Sequence, residues 1–240
     1  MHGREIHGYM LKIGLGKDVH KEDFNDVLMT NAVMDMYTKY GSMRNAYMLF
    51  DKMKTKDVAS WNIMIMGYGM HGNANKALDM FSCMCEAQIE VDEVTFVGVL
   101  SACSHAGLVS EGRELLRQMK SKYGVLPTIE HYTCVVDMLG RGGHVEEAFK
   151  LVQNMPIQAN TVVWRALLVA CRLHRNSDNA KVSAQKLMEL DPGHSGWTVL
   201  KDGVHAFIND DKAHAKANFI YAELYSLIAR LHEHGYVPHV

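Results

Sequence analysis

The sequence predicts an all-α solenoid of stacked helix hairpins, finished by a small β-hairpin and one further helix. Three observations predict it. A skeleton of small and apolar residues recurs at fixed offsets. The apolar residues around it keep helical spacing. The pattern then stops after residue 195. Taking Asn31, Asn62, Val97, Thr133 and Arg165 as starting points, the intervals are 31, 35, 36 and 32 residues. Ten residues beyond each start lie Gly41, Gly72, Gly107, Gly143 and Arg175; fifteen beyond lie Ala46, Ala77, Gly112, Ala148 and Ala180. Twenty-two beyond lie Met53, Met84, Met119, Met155 and Leu187. Self-similarity at such a period marks a stacked-repeat architecture.

Each unit divides at its glycine. Before it, apolar residues recur at helical spacing, as Val33, Met36, Tyr37 and Tyr40, then Ile63, Met66, Gly67 and Met70. After it, a second stripe follows: Ala46, Leu49, Phe50 and Met53, or Ala77, Met80, Phe81 and Met84. The glycine suits the left-handed residue that closes a helix. The small residue at the third landmark suits close helix crossing. Neither helix buries its stripe alone, so stacked hairpins share one core, with the first helices lining a concave face.

Beyond residue 195, WTVLKDGVHAFI (197–208) alternates around Asp202-Gly203 and reads as a β-hairpin. His214–His234 reads as a helix with Ile220, Leu224, Leu227 and Leu231 on one stripe, ended by Gly235 and Pro238.

Composition excludes several classes. The chain is 48% hydrophobic and 22% charged, and no apolar run reaches the roughly 18 residues a membrane helix needs. The formal net charge of −2 argues against binding nucleic acid by bulk electrostatics. Cys83, Cys85, Cys103, Cys134 and Cys171 lack metal-ligand spacing and read as small buried hydrophobes. His20-Lys21-Glu22 matches the His-x-Glu of zinc deaminases, but it falls in a polar linker and no Cys-x-x-Cys exists. His205, His214, His232, His234 and His239 read as solvated polar positions. No catalytic residue, metal or other cofactor is expected.

NAVMDMYTKYGSMRNAYMLFDKMKTKDVASWNIMIMGYGMHG and FVGVLSACSHAGLVSEGRELL resemble plant pentatricopeptide repeat proteins of the PLS subclass, whose repeats also vary in length. TVVWRALLVACRLHRN resembles that family's E domain, and VHAFINDDKAHAKANFIYAELYSLIARLHEHGYVPHV its E+ extension. A tetratricopeptide array would instead keep one length near 34 residues. The resemblance implies a right-handed superhelix and gives the divisions. Residues 1–26 are a partial long repeat and linker, in which HKEDFNDV (20–27) loops out. Four repeats follow at 27–57, 58–92, 93–128 and 129–160. A truncated E-type repeat covers 161–196, without a second E-type helix pair, and the E+-like hairpin and helix cover 197–240.

The resemblance implies single-stranded RNA as ligand, one base per repeat, read by two side chains. The implied pairs are Asn31 with Asp57, Asn62 with Asp92, Val97 with Thr128, and Thr133 with Asn160. In the family, Asn with Asp favours uracil and Thr with Asn favours adenine; Val97 has no polar atom and reads poorly. Leu28 and Val94 match the aliphatic residue that sandwiches a base, whereas Ala59 and Glu130 depart from it. Read without the resemblance, Asp57, Asp92 and Asn160 are credible helix N-caps.

Relatives with such a tail act in cytidine-to-uridine editing of mitochondrial or chloroplast transcripts, the organelle location implied here. No transit peptide is visible. In the family a deaminase domain follows a segment like GYVPHV, so an editing role implies a deaminase-bearing protein or other editing factors in trans. Two function classes stand: a site-specificity factor that binds RNA, and a degenerate helical scaffold that binds protein partners with little RNA selectivity.

Overall fold

A computed structural model describes residues 24–191; the expected β-hairpin and final helix at 197–240 lie outside the described residues. The described chain is ten helices in five hairpins. They are α1 (Phe24–Lys39) and α2 (Met43–Lys52), α3 (Val58–Met70) and α4 (Ala74–Glu86), and α5 (Glu93–Ala106) and α6 (Val109–Tyr123). α7 (Ile129–Arg141) and α8 (Val145–Asn154), then α9 (Thr161–Leu173) and α10 (Ser177–Leu190), complete the set. α1 starts at Phe24, so the end of the stretch expected to loop out, Phe24 to Val27, is helical.

Every hairpin turns the same way. Gly41, Gly72, Gly107 and Gly143 hold φ of 76°, 72°, 70° and 81°, where a Cβ is costly. Arg175 occupies the same register at φ 55°. The residue after each donates back five positions, Ser42 N–H to Tyr37, Asn73 to Tyr68, Leu108 to Cys103, His144 to Leu139 and Asn176 to Cys171. That bond closes each first helix in a Schellman turn and sends the chain back antiparallel.

The first helices pack on one another in sequence, α1 on α3, α3 on α5, α5 on α7 and α7 on α9. Each second helix packs on its own first helix and, for all but α10, on the next one, while the described second helices make no comparable contact with each other. The stack therefore curves with the first helices inside. Ala46, Ala77, Ala148 and Ala180 are fully buried at the hairpin crossings. Gly112 takes that place in the third hairpin, and a Cβ there would collide with Met138. Phe96 is fully buried between Phe81 and Tyr123, at ring separations of 5.6 and 5.3 Å.

Two expectations need correction. Tyr40, Met66 and Met70, assigned to buried stripes, are exposed. A first helix is flanked on both sides by neighbours, so α3 buries Trp61, Met64, Ile65, Gly67, Tyr68 and Gly69 nearly all round. Only a strip facing the inside of the curve stays open, and Met66 and Met70 lie on it. Cys83, read as buried, is exposed on α4, whereas Cys103 and Cys171 are buried. No helix among the described residues is long and apolar enough to cross a membrane.

Candidate nucleic-acid interface

Asn31 sits on α1, and Asp57 caps the N-terminus of α3. The Asn31 Nδ2 donates to Asp57 Oδ1 at 3.0 Å, joining two hairpins. Asp57 Oδ1 also accepts the Ser60 backbone N–H at 2.8 Å, so the carboxylate caps α3 and holds Asn31 at once. The next junction repeats this atom for atom. Asn62 Nδ2 donates to Asp92 Oδ1 at 3.0 Å, and Asp92 Oδ1 accepts the Thr95 N–H at 2.8 Å. Each aspartate is thus a helix N-cap and an acceptor for the Asn of the preceding hairpin in one geometry.

Asn31 and Asn62 are each only 6% exposed, so an approaching ligand meets the edge of the amide alone. One Nδ2 proton is spent on the aspartate. The second makes no hydrogen bond within the described residues, nor does the Oδ2 of Asp57 or Asp92. Each junction therefore presents one free N–H donor beside one free carboxylate oxygen. Burial pushes the Asp57 carboxyl up, but the Ser60 amide, the Ser60 hydroxyl and the Asn31 amide outweigh it and hold it below the usual value of 3.8. Asp92 is lowered against the same opposition by Thr95 and Asn62. Both are anions at neutral pH, acceptors only.

The other two pairs are not joined. Val97 is half-buried and apolar. Its partner position, Thr128, is tied up locally: its backbone N–H donates to His131 Nδ1 at 2.9 Å, and its hydroxyl lies 2.6 Å from a Glu130 oxygen. The Thr133 hydroxyl donates back along α7 to the Ile129 carbonyl at 2.7 Å. Asn160 Oδ1 accepts the N–H groups of Val162 and Val163 at 3.0 and 3.1 Å, capping α9. A ligand must draw the Thr133 hydroxyl off its own helix to use it as a donor, while its oxygen can accept where it stands.

The expected sandwiching residues face solvent: Leu28, one turn into α1, is 61% exposed, and Val94, in the first turn of α5, is 49% exposed. Val162 holds the same register on α9 at 50% exposed, in the segment that the sequence assigns to an E-type repeat rather than to the base-reading repeats. Cations near this face are largely paired. Lys39 bonds Asp35 at 2.5 Å, and Arg141 bonds Asp137 at 2.9 Å, where the Ser104 hydroxyl also donates. Selection by short-range hydrogen bonds fits this face better than a broad positive potential. Among the described residues, no group of three or more His, Cys, Asp or Glu side chains could hold a metal ion.

Models described as PPR repeat match residues 29–58, 94–123 and 130–156, and one described as PPR repeat family matches 56–105. Pentatricopeptide repeat-containing protein At3g14730 of Arabidopsis thaliana is 43% identical over 272 residues, covering 98% of this chain and 41% of that protein. The chloroplastic protein DOT4 of the same plant is 43% identical over 204 residues, 85% of this chain and 22% of its own length. The mitochondrial protein At3g26782 is likewise 43% identical over 204 residues, 85% of this chain and 30% of that protein. The chain thus spans well under half the length of these curated relatives. Among solved structures, maize PPR10 in complex with an 18-nucleotide psaJ RNA element matches with a TM-score of 0.58 at 19% identity, covering 98% of this chain and 33% of that one. The PPR domain of Arabidopsis thaliana protein-only RNase P 1 in complex with tRNA matches with a TM-score of 0.57 at 18% identity, covering 68% and 90%. These likenesses show the fold. With matched repeats over residues 29–123 and 130–156, more than half of its length, this chain belongs to the pentatricopeptide repeat family.

Proposed function

We propose that the inner face of the solenoid binds single-stranded RNA, one base per hairpin, and selects uracil at two neighbouring positions. The observation that carries this reading is the doubled Asn–Asp junction. Each leaves one N–H and one carboxylate oxygen open and side by side. A uracil edge offers a carbonyl beside an N3–H, which complements that pair. Two resembling structures hold RNA, an 18-nucleotide element bound to PPR10 and a tRNA bound to the RNase P domain. Under this reading the repeats run as 27–57, 58–92, 93–128 and 129–160.

By resemblance to the PLS subclass, the chain serves as a site-specificity factor for cytidine-to-uridine editing in a mitochondrion or chloroplast. The deaminase is supplied in trans. Relatives named as chloroplastic and as mitochondrial both support an organelle. The preferred site is 5′-U-U-N-A-N-N-N-C-3′, with the uracils at Asn31/Asp57 and Asn62/Asp92 and the adenine at Thr133/Asn160.

The test replaces Asp92 with Asn and varies the base opposite it in a short single-stranded RNA. The wild type is expected to favour uracil there, and D92N to shift toward cytosine at that position alone. Equal binding of both bases by the wild type, or a variant whose preference stays put, removes the reading. One observation favours the scaffold alternative: Val97 has no polar side-chain atom and the Thr133 hydroxyl spends its proton on its own helix. With only two junctions that hold an Asn and an Asp together, protein partners supply the rest of the grip.

A further inference from the structure

Ser60 and Thr95 are the third residues of α3 and α5, and both are fully buried. Each belongs to the hairpin after the Asn it touches. Ser60 Oγ lies 2.8 Å from Asn31 Oδ1 and 2.8 Å from Asp57 Oδ1; Thr95 Oγ1 lies 2.7 Å from Asn62 Oδ1 and 2.7 Å from Asp92 Oδ1. A hydroxyl has one proton to give. Asp57 Oδ1 already accepts the Ser60 N–H and the Asn31 amide, whereas Asn31 Oδ1 has no other donor among the described residues. The proton therefore goes to the Asn, and the hydroxyl oxygen accepts the Asp57 N–H at 3.3 Å. Thr95 accepts the Asp92 N–H in the same way at 3.2 Å.

This arrangement fixes which way the amide points. Turned over, Asn31 would set its carbonyl against the Asp57 carboxylate and its amine against a hydroxyl oxygen already in use. A buried acceptor left without a donor is expensive. We propose that Ser60 and Thr95 are positioning residues for base choice: each locks the Asn of the preceding hairpin with its N–H outward, so that donor and acceptor meet a ligand in one order only. That order suits a carbonyl followed by an imino N–H, as in uracil. Cytosine offers an amine followed by a bare ring nitrogen, the reverse order. The inference rests on the RNA-binding reading above.

The remaining junctions supply the contrast. The register of Ser60 and Thr95 is filled next by His131, whose Nε2 donates to the Glu93 carbonyl at 2.9 Å, and the reader there is Val97, with no amide to hold. At the last junction it is filled by Val163, fully buried, and the Thr133 hydroxyl turns back to Ile129. A buried hydroxyl stands only behind the two Asn readers. Ser60 and Thr95 also close capping boxes with Asp57 and Asp92. A purely capping role would lower stability and leave base choice unchanged, which separates the two roles.

The experiment uses the full chain, a short single-stranded RNA carrying U-U-C-A, and two versions with one uracil changed to cytosine. T95V is expected to cut the uracil-to-cytosine affinity ratio at the Asn62/Asp92 position roughly tenfold, the scale of one base-edge contact. The ratio at the Asn31/Asp57 position stays as in the wild type. S60A does the converse, in a separate hairpin, and T95S keeps both ratios. Circular dichroism confirms that each variant is folded. The inference is overturned if folded T95V and S60A weaken all three RNAs equally, or bind as the wild type does. A wild type without uracil preference at either position fails earlier, and it overturns the RNA reading itself.

Discussion

The imidazole Nε2 of His71, at the end of α3, donates to the main-chain oxygen of Thr38 on α1 at 2.6 Å. His174 repeats the contact three junctions on, donating to the Gly140 oxygen at 2.8 Å. Both rings lie against the turn glycine of the preceding hairpin. A Cβ on Gly41 would be 3.6 Å from His71 Cε1, and one on Gly143 would be 3.4 Å from His174 Cε1. The carbonyl of Thr38 also accepts the Gly41 N–H, so one oxygen serves its own turn and the next hairpin. H71A should destabilise the stack by about 1 kcal/mol, the net worth of one such bond. Denaturant unfolding followed by circular dichroism measures it; an unchanged midpoint would show that the junction does not depend on this clasp.

Arg175 breaks the glycine pattern in sequence but not in backbone. Its φ of 55° lies in the left-handed region, and the Asn176-to-Cys171 bond closes the turn as in the other hairpins. A side chain there costs about 1 kcal/mol that glycine avoids. R175G is therefore expected to raise the thermal midpoint, against the usual direction for a glycine substitution. A lowered midpoint would mean that the arginine side chain contributes more than the strained backbone costs.

Close approach of first helices rests on specific glycines. A Cβ on Gly140 of α7 would lie 2.5 Å from the Cβ of Ala170 on α9, and neither atom can rotate away. G140A should force α7 and α9 apart and cost about 1–3 kcal/mol, the usual penalty of overpacking. G72A probes a different cost, since its Cβ meets nothing within 4 Å and only φ of 72° opposes it. If G140A proves milder than G72A by chemical denaturation, the steric account of the α7–α9 contact is wrong.

The hairpin phase was legible because one backbone requirement, a left-handed turn residue, selects one amino acid and recurs. The small residues Ala46, Ala77, Gly112, Ala148 and Ala180 were legible for a similar reason, since close crossing admits little else. The inner strip was not. A periodicity argument assumes a helix with one buried side, and α3 is buried on two flanks, so Met66 and Met70 read as core. The roles of Ser60 and Thr95 were also hidden. Each is an ordinary N-terminal helix residue by itself, and its partner Asn lies 29 or 33 positions earlier. Only the stacking of hairpins brings the three side chains together.

The paired aspartates make stability depend on acid. Asp57 and Asp92 titrate below 3.8 in the folded chain, because the hydrogen bonds that favour their anions outweigh burial. Between the folded and unfolded values, the unfolded chain binds more protons, so stability rises with pH there. The contribution is complete above about pH 5 and fades as pH falls through the folded values. Asn keeps the cap, as Asn160 does for α9, but carries no charge. The double variant D57N/D92N should therefore lose less stability than the wild type between about pH 5 and pH 2. Glu114, held down to about 2 by Arg117 and Gln118, titrates in both proteins and cancels in the comparison. Unfolding midpoints measured across that range give the answer: converging curves support the paired carboxylates, and parallel curves would show that the two junctions do not hold their aspartates as anions.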